Sequence, residues 1–140
     1  MAIERTLGMI KPDAVARGLV GRIVARYEQE GFRLLGLRLV RLKREDSETF
    51  YAVHSQRPFY TSLIEYMSSG PIVALALERE EGIAHLRRVM GATDPAEADH
   101  GTIRAEFAES IERNSVHGSD APATAAQELA FFFREQELLG

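Results

Sequence analysis

Cysteine is absent from all 140 residues of the chain. Without cysteine the protein can form no disulfide, no thiolate nucleophile and no zinc site with sulfur ligands. Long apolar runs are missing too: no stretch approaches the roughly 20 residues that span a bilayer. The apolar run near the amino terminus is too short for a secretory signal. We therefore expect a cytoplasmic protein with no membrane partner.

Positive charge is not in excess. The chain has 17 Lys and Arg residues against 21 Asp and Glu residues, which gives a formal net charge of -4. Proteins that bind nucleic acid usually carry a basic patch or a basic overall charge, so no specific nucleic-acid partner is expected. The densest basic run, over residues 41–44, is interpreted as the solvated end of a strand.

The order of hydrophobic patterns predicts an α+β fold. Internal repeats and linkers are absent, so residues 1–140 are predicted to form one domain. The core is predicted to be a ferredoxin-like βαββαβ unit, an antiparallel sheet with helices on one face. Additional helices and a long loop over residues 91–113 precede the last strand. The predicted strands cover residues 6–10, 32–42, 71–78 and 115–117, and the predicted helices cover 18–31, two parts of 45–69, 81–90 and a segment from Pro122.

One histidine of the four has surroundings suited to chemistry. None of the four shows the close spacing of metal ligands, so no zinc site is expected. His117 ends a short predicted strand and precedes Gly118, which would let the backbone bend and leave room beside the imidazole. Glu128 falls on the flank of the apolar stripe of the last helix, where it could orient one imidazole nitrogen and leave the other as a nucleophile. From periodicity alone, Glu128 could equally be a surface residue.

Phosphorus is a natural target for a nucleophilic imidazole at neutral pH, and phosphoryl transfer requires cations around the moving group. Lys11, Arg87 and Arg104 are candidates, although each could also be a solvated charge. The glycine-rich loops GxxxxGK[ST] and GxGxxG do not occur, which excludes P-loop and protein-kinase architectures. Side chains would then have to hold the phosphates.

Several segments together resemble the nucleoside diphosphate kinase family. They are, in order, "TLGMIKPDAVARGLVG", "RPFY", "SGPIVALALE", "GATDPAEADHGTIR" and "NSVHGSD". The resemblance runs from about residue 4 to residue 135. It implies an enzyme that moves the γ-phosphate of a nucleoside triphosphate such as ATP to a nucleoside diphosphate through a phosphohistidine, and so maintains the NTP and dNTP pools.

The resemblance also implies a role for each site residue. His117 matches the residue that is phosphorylated on Nδ1, and Glu128 and Ser119 match groups that orient it. Lys11 and Tyr51 match residues near the transferred phosphoryl group, and Lys11 also reaches the ribose. The remaining matches bind the nucleotide: Asn114 at the ribose hydroxyls, Phe59 and Ile111 on the two sides of the base, and Arg87, Thr93 and Arg104 at the distal phosphates.

The same resemblance implies further properties. An aromatic ring that stacks on the base, without polar side chains that hydrogen-bond to the base edges, should accept purines and pyrimidines alike. Mg²⁺ is expected on the nucleotide phosphates, without direct protein ligands. A homo-oligomer built from dimers, either a tetramer or a hexamer, is expected; the chain ends at Gly140 and lacks the longer tail that braces some hexamers. Val53 departs from the family, because many relatives carry a carboxylate there.

Two other functions are compatible with some of these residues. A non-catalytic nucleotide- or nucleic-acid-binding regulator on the same fold could use Tyr51, Phe59 and the arginines, but it would not need His117 beside Glu128. A histidine phosphocarrier that accepts phosphate from a protein partner is the third possibility. The expected ribose and base contacts argue against that carrier.

Overall fold

The computed structural model describes residues 2–139, and the backbone of this range is built on a four-stranded antiparallel sheet. The strands are β1 (Ile3–Ile10), β2 (Arg33–Val40), β3 (Ile72–Glu80) and β4 (Val116–Gly118). They pair in the order β2-β3-β1-β4, with every neighbouring pair antiparallel. The predicted α+β fold with a ferredoxin-like strand order is confirmed.

The helices follow the predicted order with two additions. They are α1 (Pro12–Ala16), α2 (Val20–Gln29), α3 (Arg44–Phe50), α4 (Tyr60–Met67), α5 (Gly82–Met90), α6 (Ile103–Phe107) and α7 (Pro122–Phe132), with short 3-10 turns at Ala52–His54 and Glu135–Glu137. None of the helices within residues 2–139 is long and apolar enough to cross a membrane.

The two additional helices, α1 and α6, are each only five residues long. Residues 91–113 were predicted as a loop, and α6 within them corrects that prediction. The Thr102 hydroxyl caps α6 by accepting a hydrogen bond from the Ala105 amide at 3.3 Å, while Pro12 occupies the first position of α1, where its missing amide hydrogen costs nothing. Elements this short depend on caps and give no apolar periodicity.

Helices cover both faces of the sheet, so the prediction of helices on one face is wrong. Residues alternate between the two faces along each strand. On one face Ala74 and Ala76 of β3 belong to a cluster with the apolar residues of α4 and α7. On the other face Val73, Leu75 and Leu77 belong to a cluster with α2, α5 and α6. The central strand β3 is consequently buried on both sides, as its continuous apolar run allows.

The edge strand β2 differs from the half-wetted strand that its arginines predicted. A register shift between Leu34 and Gly36 interrupts its pairing with β3, and Leu35 is its one fully buried residue. Leu37 and Leu39 are 48% and 65% exposed. The outer edge of β2 therefore presents apolar side chains and unpaired backbone groups to the outside of a single chain.

Candidate active site

His117 lies in β4 with one ring nitrogen held by a carboxylate. Its Nε2 is 2.9 Å from Glu128 Oε1, and the Ser119 hydroxyl donates to the same oxygen at 2.7 Å. An ionised carboxylate only accepts hydrogen bonds, so Nε2 is assigned the proton, and in the neutral form of the ring the lone pair is on Nδ1. The His117 side chain is 22% exposed, which leaves the imidazole open to a ligand.

The position of His117 depends on close packing behind β4. Met9 of β1 pairs with His117, and the Ser119 amide donates to the Leu7 carbonyl at 3.1 Å. Gly118 lies within the strand without a positive φ, so the bend predicted for it does not occur. A Cβ at Gly118 would lie 2.8 Å from the Met90 side chain and 2.9 Å from that of Leu86. Glycine leaves room there for the ends of these two α5 side chains, which pack directly against the strand.

Two aromatic rings from the end of α3 flank the imidazole. The Phe50 ring lies 5.6 Å from the His117 ring at 72°, and the Tyr51 ring lies 6.5 Å away at 82°, both edge-to-face. Burial raises the pKa of the Tyr51 phenol above its usual range, and Glu128 adds to that effect. The hydroxyl is therefore neutral at pH 7, and within residues 2–139 it has no hydrogen-bond partner. Phe50 was missed by the sequence reasoning, since a lone aromatic residue in a short helix gives no signal of this role.

Lys11 directly follows β1 and binds a residue of the segment that leads into β4. Its Nζ donates to Asn114 Oδ1 at 2.9 Å, and Asn114 Nδ2 donates to the Thr93 carbonyl at 3.2 Å. Lys11 is 8% exposed. Burial lowers the pKa of its ammonium to about 8, and the nearby Arg104 acts in the same direction. These contacts place three of the predicted nucleotide-binding residues next to one another.

A buried network behind Lys11 fixes this arrangement. The Asp13 carboxylate accepts hydrogen bonds from the hydroxyls of Tyr66 and Ser115, the latter at 2.8 Å, and from Arg17 at 3.2 Å. Ser115 has a φ of 71°, an uncommon left-handed conformation for a residue with a side chain. Its carbonyl accepts the Lys11 amide at 2.8 Å. The sequence reasoning missed Asp13, although it lies in the quoted "KPD" segment.

Arg104 connects a cationic cavity to the strand that carries the histidine. Its guanidinium donates to the Gly91 carbonyl at 2.9 Å and to the Val116 carbonyl at 2.8 Å. Burial lowers the pKa of this guanidinium to about 10, so it stays charged at neutral pH. The cavity beside it has a volume of about 430 Å³ and is lined by Arg87, Arg88, Met90, Gly91, Ala92, Thr93, Glu97, Asp99, Thr102 and Arg104.

The two residues predicted to enclose a base are exposed. Phe59 is 47% exposed and Ile111 is 59% exposed. An aromatic row connects Phe59 to the histidine: His54 lies 5.7 Å from the Phe59 ring and 6.3 Å from the Tyr51 ring.

The predicted site residues fall into three neighbouring groups. The first group is the imidazole of His117 with Glu128, Ser119 and Tyr51 around it. The second is a hydrogen-bonded series formed by Lys11, Asn114 and Thr93. The third lines the cavity and consists of Arg87, Thr93 and Arg104. Phe59 and Ile111 stand outside these groups. The arrangement combines a nucleophile with a free lone pair, a set of cations and exposed apolar side chains, which together suit phosphoryl transfer from a nucleotide.

Comparison with known proteins agrees with this chemistry. The nucleoside diphosphate kinase family model matches residues 4–138. The chain is 56% identical to a nucleoside diphosphate kinase of Maricaulis maris over 140 residues, all of both chains. The Aquifex aeolicus nucleoside diphosphate kinase structure superposes with a TM-score of 0.96 at 43% identity, covering 98% of this chain and 99% of that one. A Halobacterium salinarum nucleoside diphosphate kinase, solved in complex with CDP, gives 0.95 at 38% identity, covering 99% and 93%. The chain belongs to the nucleoside diphosphate kinase family.

Proposed function

We propose that this chain, which is a nucleoside diphosphate kinase, transfers phosphate through His117. In the first half-reaction the Nδ1 lone pair attacks the terminal phosphorus of a nucleoside triphosphate such as ATP. The N–P bond forms as the bond to the leaving diphosphate breaks. In the second half-reaction a terminal oxygen of another nucleoside diphosphate attacks the phosphohistidine, and the N–P bond breaks. The exchange maintains the NTP and dNTP pools.

The contact that carries this proposal is the hydrogen bond from His117 Nε2 to Glu128. It fixes the tautomer in which Nδ1 is unprotonated, and it stabilises the positive charge that develops on the ring during attack. Ser119 holds the carboxylate in place. The edge-to-face rings of Phe50 and Tyr51 restrict rotation of the imidazole, which keeps the nucleophile oriented.

Cations around the phosphates supply electrostatic stabilisation of the transition state. Arg87, Arg104 and Thr93 would hold the distal phosphates in the cavity. Lys11 would approach the transferred group and the ribose. Within residues 2–139 no group of three or more His, Cys, Asp or Glu side chains could hold a metal ion, and the cavity is lined by three arginines and two carboxylates. Mg²⁺ bound to the nucleotide would neutralise phosphate charge, and the protein would meet it through the nucleotide.

Nucleoside triphosphates and diphosphates of every base are the proposed substrates. Stacking on Phe59 makes use of the π-face that all bases have, with Ile111 covering the other side and Asn114 contacting the ribose. The CDP complex of the Halobacterium relative supports nucleotide binding on this fold. Broad base specificity would follow, because stacking alone does not distinguish base edges.

Labelling with radioactive ATP tests this proposal directly. With Mg²⁺ present, we expect acid-labile, base-stable label on His117, and subsequent GDP should remove it as labelled GTP. The alternative functions give other results: a nucleotide- or nucleic-acid-binding regulator would take up no label, and a phosphocarrier would not pass its label to GDP. His117→Ala should abolish both half-reactions. A His117→Ala protein that stays active would refute the assignment of the nucleophile.

A homo-oligomer built from dimers is part of the proposal, and the edge strand β2 supports it. An eight-residue edge strand with exposed leucines would promote aggregation if it stayed uncovered. A second copy of the chain can cover it through a two-fold axis, which places the same surface on both sides. Such dimers would then assemble into a tetramer or a hexamer.

Two further parts of the proposal concern the chain as a whole. Residues 1–140 are proposed to form one domain, which a single cooperative unfolding transition would support. A cytoplasmic location is proposed because the substrates are the nucleotides of the cytoplasm. Cell fractionation tests that location.

A further inference from the structure

A hydrogen bond joins the two segments that carry the proposed base contacts. The Ser62 hydroxyl lies 2.8 Å from each carboxylate oxygen of Glu112, so its single proton is shared between them. Ser62 lies three residues after Phe59 and thus on the same side of α4. Glu112 immediately follows Ile111. The hydrogen bond therefore joins α4, which begins next to Phe59, to the loop that carries Ile111.

The loop over residues 109–113 is compact and contacts α4 at a second point. The amides of Glu109 and Ser110 donate to the Arg113 carbonyl, at 2.9 and 3.3 Å, and the Ser110 hydroxyl accepts the Arg113 amide at 3.1 Å. The Arg113 guanidinium lies 5.2 Å from the centre of the Tyr66 ring, one turn beyond Ser62 on α4. The loop is thus a closed turn that rests on one face of α4.

We infer that Ser62 and Glu112 form a latch that fixes the loop over α4 and so preorganises the slot between Phe59 and Ile111 for the base. This inference rests on the proposed function, in which those two side chains enclose the base. Binding a nucleotide to a loop that is already ordered costs less conformational entropy than ordering the loop at that moment. The latch does not contact His117, and its proposed effect is on nucleotide binding. Glu112 also carries a charge that acts on Lys11, so Ser62→Ala, which keeps that charge, isolates the latch.

The latch is tested with Ser62→Ala, Glu112→Ala and the double variant, by titration calorimetry with ADP and by kcat at saturating nucleotide. We expect each single variant to raise the ADP dissociation constant about threefold, typical of one lost hydrogen bond near the surface. In Ser62→Ala, which keeps the Glu112 charge, kcat should be unchanged. The double variant should bind no more weakly than the singles, because only one bond is lost. Glu112→Gln keeps an acceptor and should bind ADP like the unaltered protein.

Thr61→Ala and Glu65→Ala on the exposed surface of α4 are matched controls and should bind normally. Additive losses in the double variant, a fall in the kcat of Ser62→Ala, or Glu112→Gln binding as weakly as Glu112→Ala would each overturn the latch. Phe59→Ala separates this inference from the proposed base slot. If Phe59→Ala does not weaken ADP binding, the slot itself is wrong; if it does and Ser62→Ala binds normally, only the latch fails.

Discussion

At the scale of single residues, the imidazole of His117 has one nitrogen bound to Glu128 and the other available for reaction. We expect Glu128→Ala to fold normally but to form the phosphohistidine roughly 10- to 100-fold more slowly, because a ring free to rotate spends less time aligned for attack. Rapid-quench single-turnover measurements with labelled ATP give this rate directly.

Circular dichroism and thermal unfolding serve as controls for the fold of Glu128→Ala. A variant with Glu135→Ala, another carboxylate close to the carboxyl end, controls for the loss of one negative charge. If Glu128→Ala phosphorylates itself at the unaltered rate, then the carboxylate does not orient the nucleophile.

Lys11 leads to a prediction about pH. Burial and Arg104 lower the pKa of its ammonium to about 8, so the positive charge is complete below that value and disappears as the pH rises through it. Because kcat/KM reports groups of the free enzyme, we expect kcat/KM to fall above about pH 8. Initial rates between pH 6 and 10 measure the fall.

Side-chain NMR of the nucleotide-free protein tests the shift of Lys11 directly. The reference for its signal is the ordinary lysine pKa, about 10.4. The Lys11 signal should move more than one pH unit earlier. A Lys11 signal that moves at the ordinary lysine value would show that burial does not lower its pKa.

At the scale of elements, the closest packing behind the nucleophile is between β4 and α5. A Cβ at Gly118 would approach the side chains of Met90 and Leu86 within 3 Å. We expect Gly118→Ala to lower the free energy of unfolding by about 1–3 kcal/mol through overpacking, because the buried ends of Met90 and Leu86 have little room to move. Any part of the strain that is relieved by a shift of β4 should lower activity. Urea unfolding and steady-state rates provide both measurements.

Gly21→Ala is the matched control for Gly118→Ala, because Gly21 is exposed in α2 and nothing lies within 4 Å of its added Cβ. Gly21 lies in the first turn of α2 and has no positive φ, so alanine there should stabilise the fold by roughly 0.4–1 kcal/mol through the unfolded state. The two substitutions should therefore change stability in opposite directions. A stabilising effect of Gly118→Ala would contradict the packing described for β4.

The sequence could predict the elements that have a clear period or a buried run. The continuous apolar run of β3 and the stripes of α2 and α7 are examples, since burial imposes those patterns. It could not predict α6, which depends on one Thr102 cap. It also could not predict that the leucines of β2 are exposed, because β2 is an edge strand that a single chain leaves uncovered. Roles for Lys11 and Asn114 came from the resemblance, because no local pattern places residues so far apart in sequence in contact.

At the scale of the whole molecule, the uncovered edge of β2 predicts self-association. We expect Leu39→Glu to raise the dissociation constant of the dimer by at least roughly tenfold, because two carboxylates would be forced into an apolar contact around the two-fold axis. Sedimentation velocity over a range of protein concentrations detects the change.

Ile3→Glu is the matched control for Leu39→Glu, since Ile3 is 64% exposed and Leu39 is 65% exposed. Ile3 lies on β1, away from the outer edge of β2, so its variant should assemble normally. Dissociation by Ile3→Glu alone would place the interface elsewhere on the surface.

The Lys11–Asn114 contact joins residues that are 103 positions apart, and the Asp13–Ser115 bond spans nearly as far. Contacts of such long range form late in refolding, because the intervening chain must close first. During synthesis on the ribosome Lys11 would emerge early, and it could not contact Asn114 until the segment that leads into β4 had been synthesised. Regained catalytic turnover should consequently lag behind regained helical circular dichroism when the denatured chain is diluted into buffer.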